Sequence, residues 1–104
     1  MKISVIIVSY NCKAFLDYCL QSVTKALTQI DSEIIVVDNC SSDATVQYLK
    51  SKKYDLRLIE NKKNIGFSKA NNKAAKLAKG EYLFFLNPDT IIPEDLIDSF
   101  FKKK

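Results

Sequence analysis

Four short apolar runs recur along the chain: ISVIIVS at 3–9, EIIVVD at 33–38, DLRLIE at 55–60 and EYLFFL at 81–86. Each is four to eight residues of β-branched, aliphatic or aromatic side chains, the length and chemistry of a strand. The first two are apolar almost without interruption, as strands buried on both faces are. The third alternates more and reads as an edge strand.

Between the strands the apolar period lengthens to that of a helix. Phe15, Leu16, Cys19, Leu20, Val23, Ala26, Leu27 and Ile30 recur at steps of three and four and form one face of a first helix, which starts near Asn11 or Lys13. Ser41, Ser42 and Asp43 form a helix-start cluster, with Val46, Tyr48 and Leu49 turned inward. Phe67, Ala70, Ala74, Leu77 and Ala78 make the stripe of a third helix, and Gly80 stands where a C-terminal glycine belongs. Pro93 is expected to open a last helix, with Glu94 and Asp95 in its first turn.

The resulting order is β-α-β-α-β-α-β-α. Strands that alternate with helices predict an open, mainly parallel sheet with helices on both faces. Right-handed crossovers leave few topologies, and 3-2-1-4 is the favoured strand order. The 104 residues fit one domain, 1–104, without repeats or low-complexity linkers.

Composition removes several kinds of chemistry. The chain has no histidine, so nucleophile systems that need an imidazole base are absent. Cys12, Cys19 and Cys40 are an odd number without CxxC spacing, which suggests neither a disulfide framework nor a zinc site, and fits reduced thiols. No stretch approaches the roughly 18 apolar residues of a membrane span. The first strand starts at residue 3, directly after Lys2, so the expected location is cytoplasmic. The net charge is +4, but only one of sixteen basic residues is arginine, and the lysines are scattered in pairs at 52–53 and 62–63 and in a run at 102–104. Nucleic acid is not an expected partner. Peripheral contact of the terminal lysines with an anionic membrane is a minor expectation.

Ligands of open parallel α/β sheets bind beyond the carboxyl ends of the strands. The residues just after the four strands are therefore the candidates: Ser9, Tyr10 and Asn11; Asp38 and Asn39; Asn61, Asn64 and Gly66; Asn87 and Asp89. Asn-Pro-Asp at 87–89 is also ordinary turn chemistry. Asp38 serves equally well to bond loop amides, and Asn71, on the apolar stripe of the third helix, reads first as a structural pin. The chain has no G-x-G-x-x-G after its first strand and no G-x-x-x-x-G-K-[ST], so a glycine cradle for phosphate is not expected. A divalent metal on a hard carboxylate, Asp89, is the alternative, with the Asn87 amide beside it.

SVIIVSYN, LDYCLQSV, IIVVDNCSSDAT, NIGFSKANN and GEYLFFLNPDTIIP occur in this order over essentially the whole chain. Together they resemble the family 2 glycosyltransferases of GT-A fold. LNPDT is similar to the variant of the rhamnosyltransferase-like branch, where it stands for D-x-D. The resemblance implies transfer of a sugar from a nucleotide-diphosphate sugar, such as a UDP- or dTDP-sugar, with inversion, and with Mg2+ or Mn2+ held at Asp89. It implies nucleotide contacts from Tyr10, Asp38, Asn64, Gly66 and Asn72, to which the rim residues Ser9, Asn11 and Asn87 are added as candidates. Asn87 departs from the family pattern, because an amide replaces the first acid. The implied setting is cell-surface polysaccharide synthesis on a saccharide or lipid-linked acceptor. Family members are longer, so the acceptor half and the catalytic base are expected outside this chain. Self-association through the face that half would cover is expected.

Overall fold

Central strand β1, Ile3–Ser9, is buried at every one of its seven positions, so both faces of the sheet must be covered. The computed structural model describes residues 1–52 and 54–102; Lys53, Lys103 and Lys104, part of the lysine groups noted above, lie outside them. After β1 come α1 (Lys13–Ala26), β2 (Ser32–Asp38), α2 (Thr45–Ser51), β3 (Arg57–Glu60), α3 (Phe67–Leu77), β4 (Tyr82–Leu86) and α4 (Leu96–Lys102). The strands form one parallel sheet in the order β3-β2-β1-β4, as expected.

Alternation along β1 divides the core in two. Ile3, Val5 and Ile7 face Leu16, Cys19, Leu20 and Val23 of α1, Leu49 of α2 and Ile97 of α4. Ile6 and Val8, with Ile35 and Val37 of β2, face Ala70 and Ala74 of α3. One side thus carries three helices and the other carries one. The small alanines of α3 let that helix lie close to β1 and β2.

At the amino ends of the strands the chain is latched. Ser4 Oγ donates to Glu33 Oε2 at 2.6 Å, and the Lys79 N–H donates to the same oxygen at 2.6 Å. The Gly80 N–H donates to Ser4 Oγ at 2.9 Å. A Cβ on Gly80 would lie 2.5 Å from the Ser4 nitrogen and 2.6 Å from the Ile3 carbonyl carbon. Gly80 is therefore needed for backbone approach, and α3 ends earlier, with Ala78 as its extended cap. Its expected role as a helix C-terminal glycine is corrected.

Two further expectations shift. Residues 55 and 56 lie outside β3, which begins at Arg57. Pro93 does not open α4: its carbonyl accepts the Leu96 N–H in a turn, and the Asp95 carbonyl accepts the Ser99 N–H. Asp95 thus stands just before the helix rather than within its first turn.

Candidate nucleotide-sugar site

The carboxyl ends of β1, β2 and β4 and the start of α3 surround a cleft of about 550 Å³. Tyr10, Asn64, Gly66, Asn87 and Asp89 line it, joined by Asn39, Cys12, Phe15, Phe67 and Pro88. A groove beside β4 and α4 is almost wholly apolar, lined by Leu83, Phe84, Leu96 and Ile97, and offers no constellation of polar groups for chemistry.

Two of the lining residues correct the sequence reading. The helical period puts Phe15 and Phe67 on the inward stripes of α1 and α3, yet they are 60% and 57% exposed. Each stands at the first turn of its helix, beyond the carboxyl edge of the sheet, where no strand lies beneath it. With Tyr10, 51% exposed, they place three accessible rings around one cleft. Leu77, from the same expected stripe, is exposed as well, at the other end of α3.

The loops that carry these residues are tied by their own polar side chains. Ser9 Oγ donates to Asp38 Oδ1 at 2.8 Å; Ser41 donates to Asp38 through its N–H at 2.9 Å and through Oγ at 2.5 Å. Asn11, at φ +50°, accepts from the Ser42 N–H at 2.7 Å and donates its own N–H to Ser41 Oγ at 3.0 Å. Ser9, Asp38 and Asn11 therefore join the β1–α1 loop to the β2–α2 loop. Ser9 and Asp38 are buried, and three of the four or so acceptor positions of the Asp38 carboxylate are engaged. Asp43 reinforces the tie, accepting from the N–H groups of Lys13 and Thr45. Burial raises the Asp43 pKa, but these bonds and that from the Thr45 hydroxyl outweigh it and hold the carboxyl below its usual value.

A second chain of amides shapes the opposite wall. Asn39 Nδ2 donates to the Gly66 carbonyl at 3.2 Å, Asn61 Nδ2 donates to Asn39 Oδ1 at 2.9 Å, and Lys73 Nζ donates to Asn61 Oδ1 at 2.6 Å. Gly66 has φ +87°, in the region that favours glycine, and nothing lies within 4 Å of where a Cβ would stand. The turn needs glycine for its backbone, and the space beside it is open. Asn64 Oδ1 accepts the Gly66 N–H at 2.9 Å and holds the turn.

Asn87-Pro88-Asp89-Thr90 is a turn closed by the Thr90 N–H on the Asn87 carbonyl at 3.1 Å. The turn chemistry is real, and it presents both Asn87 and Asp89 exposed on the cleft. The structure does not bring Asn72 to this cleft. Asn72 lines an open groove on the outer face of α3, with Lys69, Lys73, Lys76 and Leu77. Asn71, next to it, is half-buried.

Among the described residues no basic side chain lines the cleft, and its one charge is Asp89. Among the described residues no group of three or more histidine, cysteine or acidic side chains gathers to hold a metal by itself. Cys12 is a poor nucleophile near neutrality. Burial raises its pKa, the Tyr10 backbone bond offsets part of this, and the carboxylates of Asp43, Asp38 and Asp89 add to the rise. Burial, followed by Cys12 and Asp89, pushes the Cys19 thiol up to about 11. Both thiols stay protonated near neutrality.

The model of the glycosyl transferase family 2 matches residues 4–103, and the chain belongs to that family. It is similar to the poly(ribitol-phosphate) beta-glucosyltransferase of Bacillus spizizenii, 38% identical over 102 residues that cover 93% of this chain and 16% of the relative. The structure of Staphylococcus aureus TarS 1–349 in complex with UDP superposes with a TM-score of 0.88 at 31% identity, over 98% of this chain and 31% of that one. A Pyrobaculum calidifontis mannosyltransferase in complex with GDP-Man and Mn2+ gives 0.79 at 27% identity, over 90% and 29%. The fold is therefore the Rossmann-like part of the GT-A architecture. The chain spans under a third of the length of each of these proteins.

Proposed function

We propose that this chain forms the donor site of a glycosyltransferase that acts on a nucleotide-diphosphate sugar, UDP- or dTDP-linked. The observation that carries the reading is the cleft, in which three exposed aromatic rings and a wall of amides surround a single carboxylate. The rings of Tyr10, Phe15 and Phe67 offer stacking surfaces to a base or ribose, and the exposed amides of Asn64 and Asn87 offer donors and acceptors to its edges.

Among the described residues a diphosphate in this cleft meets no lysine or arginine and one negative charge, which favours binding through a cation. The donor set fits Mg2+ or Mn2+. Such ions take hard oxygen ligands and are held by one or two carboxylates with substrate phosphates completing the shell. Asp89 would hold the ion, with the Asn87 amide oxygen beside it; when bound, the ion supplies Lewis-acid stabilisation of diphosphate charge. The relatives' complexes with UDP and with GDP-Man and Mn2+ support the same reading.

Transfer with inversion forms a bond from the acceptor oxygen to the anomeric carbon and breaks the bond from that carbon to the diphosphate oxygen. The electron pair leaves on the diphosphate, and the acceptor proton passes to a base. In the cleft Asp89 is the sole carboxylate, so the base comes from polypeptide beyond this domain. The acceptor is a saccharide or lipid-linked saccharide of a cell-surface polymer, and the chain acts as the donor half of the enzyme. The missing base also favours a second reading, a non-catalytic module that holds a nucleotide sugar. The exposed Leu83 and Phe85 of β4 give this domain a face for self-association.

A thermal-shift titration with UDP and dTDP, with and without manganese, tests the donor site. Ligand that binds only the folded chain stabilises it by about 2.7 kcal/mol at 100 times its Kd. A manganese-dependent rise in Tm, absent in Asp89→Ala, is the expected result. No rise with either nucleotide would remove both readings, and sugar transfer by the domain joined to its remaining half separates the first from the second.

A further inference from the structure

We propose that the outer face of α3 docks on an anionic phospholipid surface, whatever the cleft binds. Between residues 57 and 79 the chain carries seven basic residues and one acid, Glu60. That segment holds more than the whole +4 of the chain, and the remainder is net acidic. The sequence order hides this, because the lysines are spread over a strand, a loop and a helix. The fold brings them together. Lys69, Lys73 and Lys76 line one open groove of about 520 Å³ on α3. Lys73 reaches back to Asn61, beside Lys62 and Lys63, and the Arg57 guanidinium lies 3.4 Å from the Leu77 carbonyl.

Little in the described structure neutralises this face. Its one acid, Glu60, pairs with Lys50 of α2 at 3.0 Å. Glu33 attracts Arg57 and Lys79 at the far end. Lys69, Lys73 and Lys76 form no ion pair among the described residues; Lys73 meets only a neutral amide.

The chemistry of the groove selects among polyanions. It has no aromatic ring on which a base could stack, and its charges are lysines, which act as point charges rather than as bidentate forks. A nucleic acid is thus a poor match. Leu77, 45% exposed, sits among the lysines. A soluble polyanion gains nothing from it. A lipid surface offers phosphate to the ammonium groups and a boundary with the acyl region to an aliphatic side chain. Four-carbon lysine stems let the charges reach headgroups while Leu77 approaches the interface.

The test is co-sedimentation of the whole chain with vesicles of phosphatidylcholine alone, and with about one-third phosphatidylglycerol. Each basic residue near such a surface strengthens binding roughly fivefold, so Lys69→Gln/Lys76→Gln should weaken it on the order of twenty-five-fold. Both side chains are exposed, so the variant folds, and circular dichroism checks that. Lys25→Gln/Lys52→Gln, which removes the same charge elsewhere, should cost far less. Leu77→Ser should weaken binding to vesicles and leave retention on a soluble polyphosphate chain unchanged. Equal binding to neutral vesicles, no binding to either, or equal loss from the two double variants overturns the proposal. Polyphosphate retention that falls with Leu77→Ser as much as vesicle binding does would overturn the lipid assignment too.

Discussion

Ser9 Oγ and Asp38 Oδ1 lie 2.8 Å apart at the last registered pair of β1 and β2, so the two central strands are joined by side chains at the point where their loops diverge. Asp38 is 1% exposed and also takes both donors of Ser41. Removal of this acceptor leaves buried donors unpaired. Asp38→Ala is expected to cost about 3 kcal/mol, and Ser9→Ala about 1 kcal/mol, as measured by urea unfolding. A larger loss from Ser9→Ala than from Asp38→Ala would contradict the assignment of Asp38 as the hub.

Gly80 and Gly66 separate two uses of glycine. A methyl group at position 80 meets backbone at 2.5 Å, which no side-chain rotation relieves, so Gly80→Ala should destabilise by about 3 kcal/mol. At Gly66 the same methyl meets open space, and the cost, roughly 1–3 kcal/mol, comes from φ alone. The Gly66 φ of +87° with ψ of 165° lies outside the left-handed helical region that asparagine tolerates, so Gly66→Asn should lose about as much as Gly66→Ala. Thermal denaturation of the three variants measures both costs.

Phe15 and Phe67 provide the clearest division of stability from binding. Both are exposed, so Phe15→Ala and Phe67→Ala should shift unfolding by no more than about 0.5 kcal/mol. If the rings stack on a nucleoside, each variant should lose about 1–3 kcal/mol of nucleotide affinity by calorimetric titration. Variants that lose several kcal/mol of stability but bind normally while folded would return both rings to the core.

Glu33 sets an acid limit at the other end of the sheet. Burial raises its pKa, but the bonds from the Lys79 N–H and Ser4 Oγ, with the charges of Arg57 and Lys79, outweigh it and hold the carboxyl below 4.5. A depressed carboxyl contributes stability that is complete above its unfolded value and is lost as pH falls through the folded one. Unfolding measured from pH 6 to pH 3 should therefore show a loss below about pH 4.5 that is shallower in Glu33→Gln.

The architecture was legible because it depends on period and order. Strand runs alternating with helical stripes, and the right-handed crossover, led to the 3-2-1-4 sheet that forms. The sequence pattern also located the rim, since the loop after each parallel strand must lie there. It could not separate the two ends of a helix. Phe15 and Phe67 satisfy the apolar period as well as Leu16 and Ala70 do, and only the length of the strands beneath decides which are covered. Gly80 suited a cap by position, while its need arises from Ser4, 76 residues earlier. Asn72 belongs to a motif that reaches the cleft, but its own place on α3 turns it to the lysine groove.

The two ends of the strands differ in how much change they can absorb. At the amino end, Ser4, Glu33, Lys79 and Gly80 meet through backbone and buried oxygen, where a single added carbon is a collision. At the carboxyl end, exposed side chains surround open space, and the loops after β1 and β2 are held by Ser9 and Asp38 beneath them rather than by the rings that face a ligand. Mutation can therefore explore new specificities at the rim without risk to the sheet. One scaffold can acquire many substrates by drift at that edge alone, while the opposite edge stays fixed.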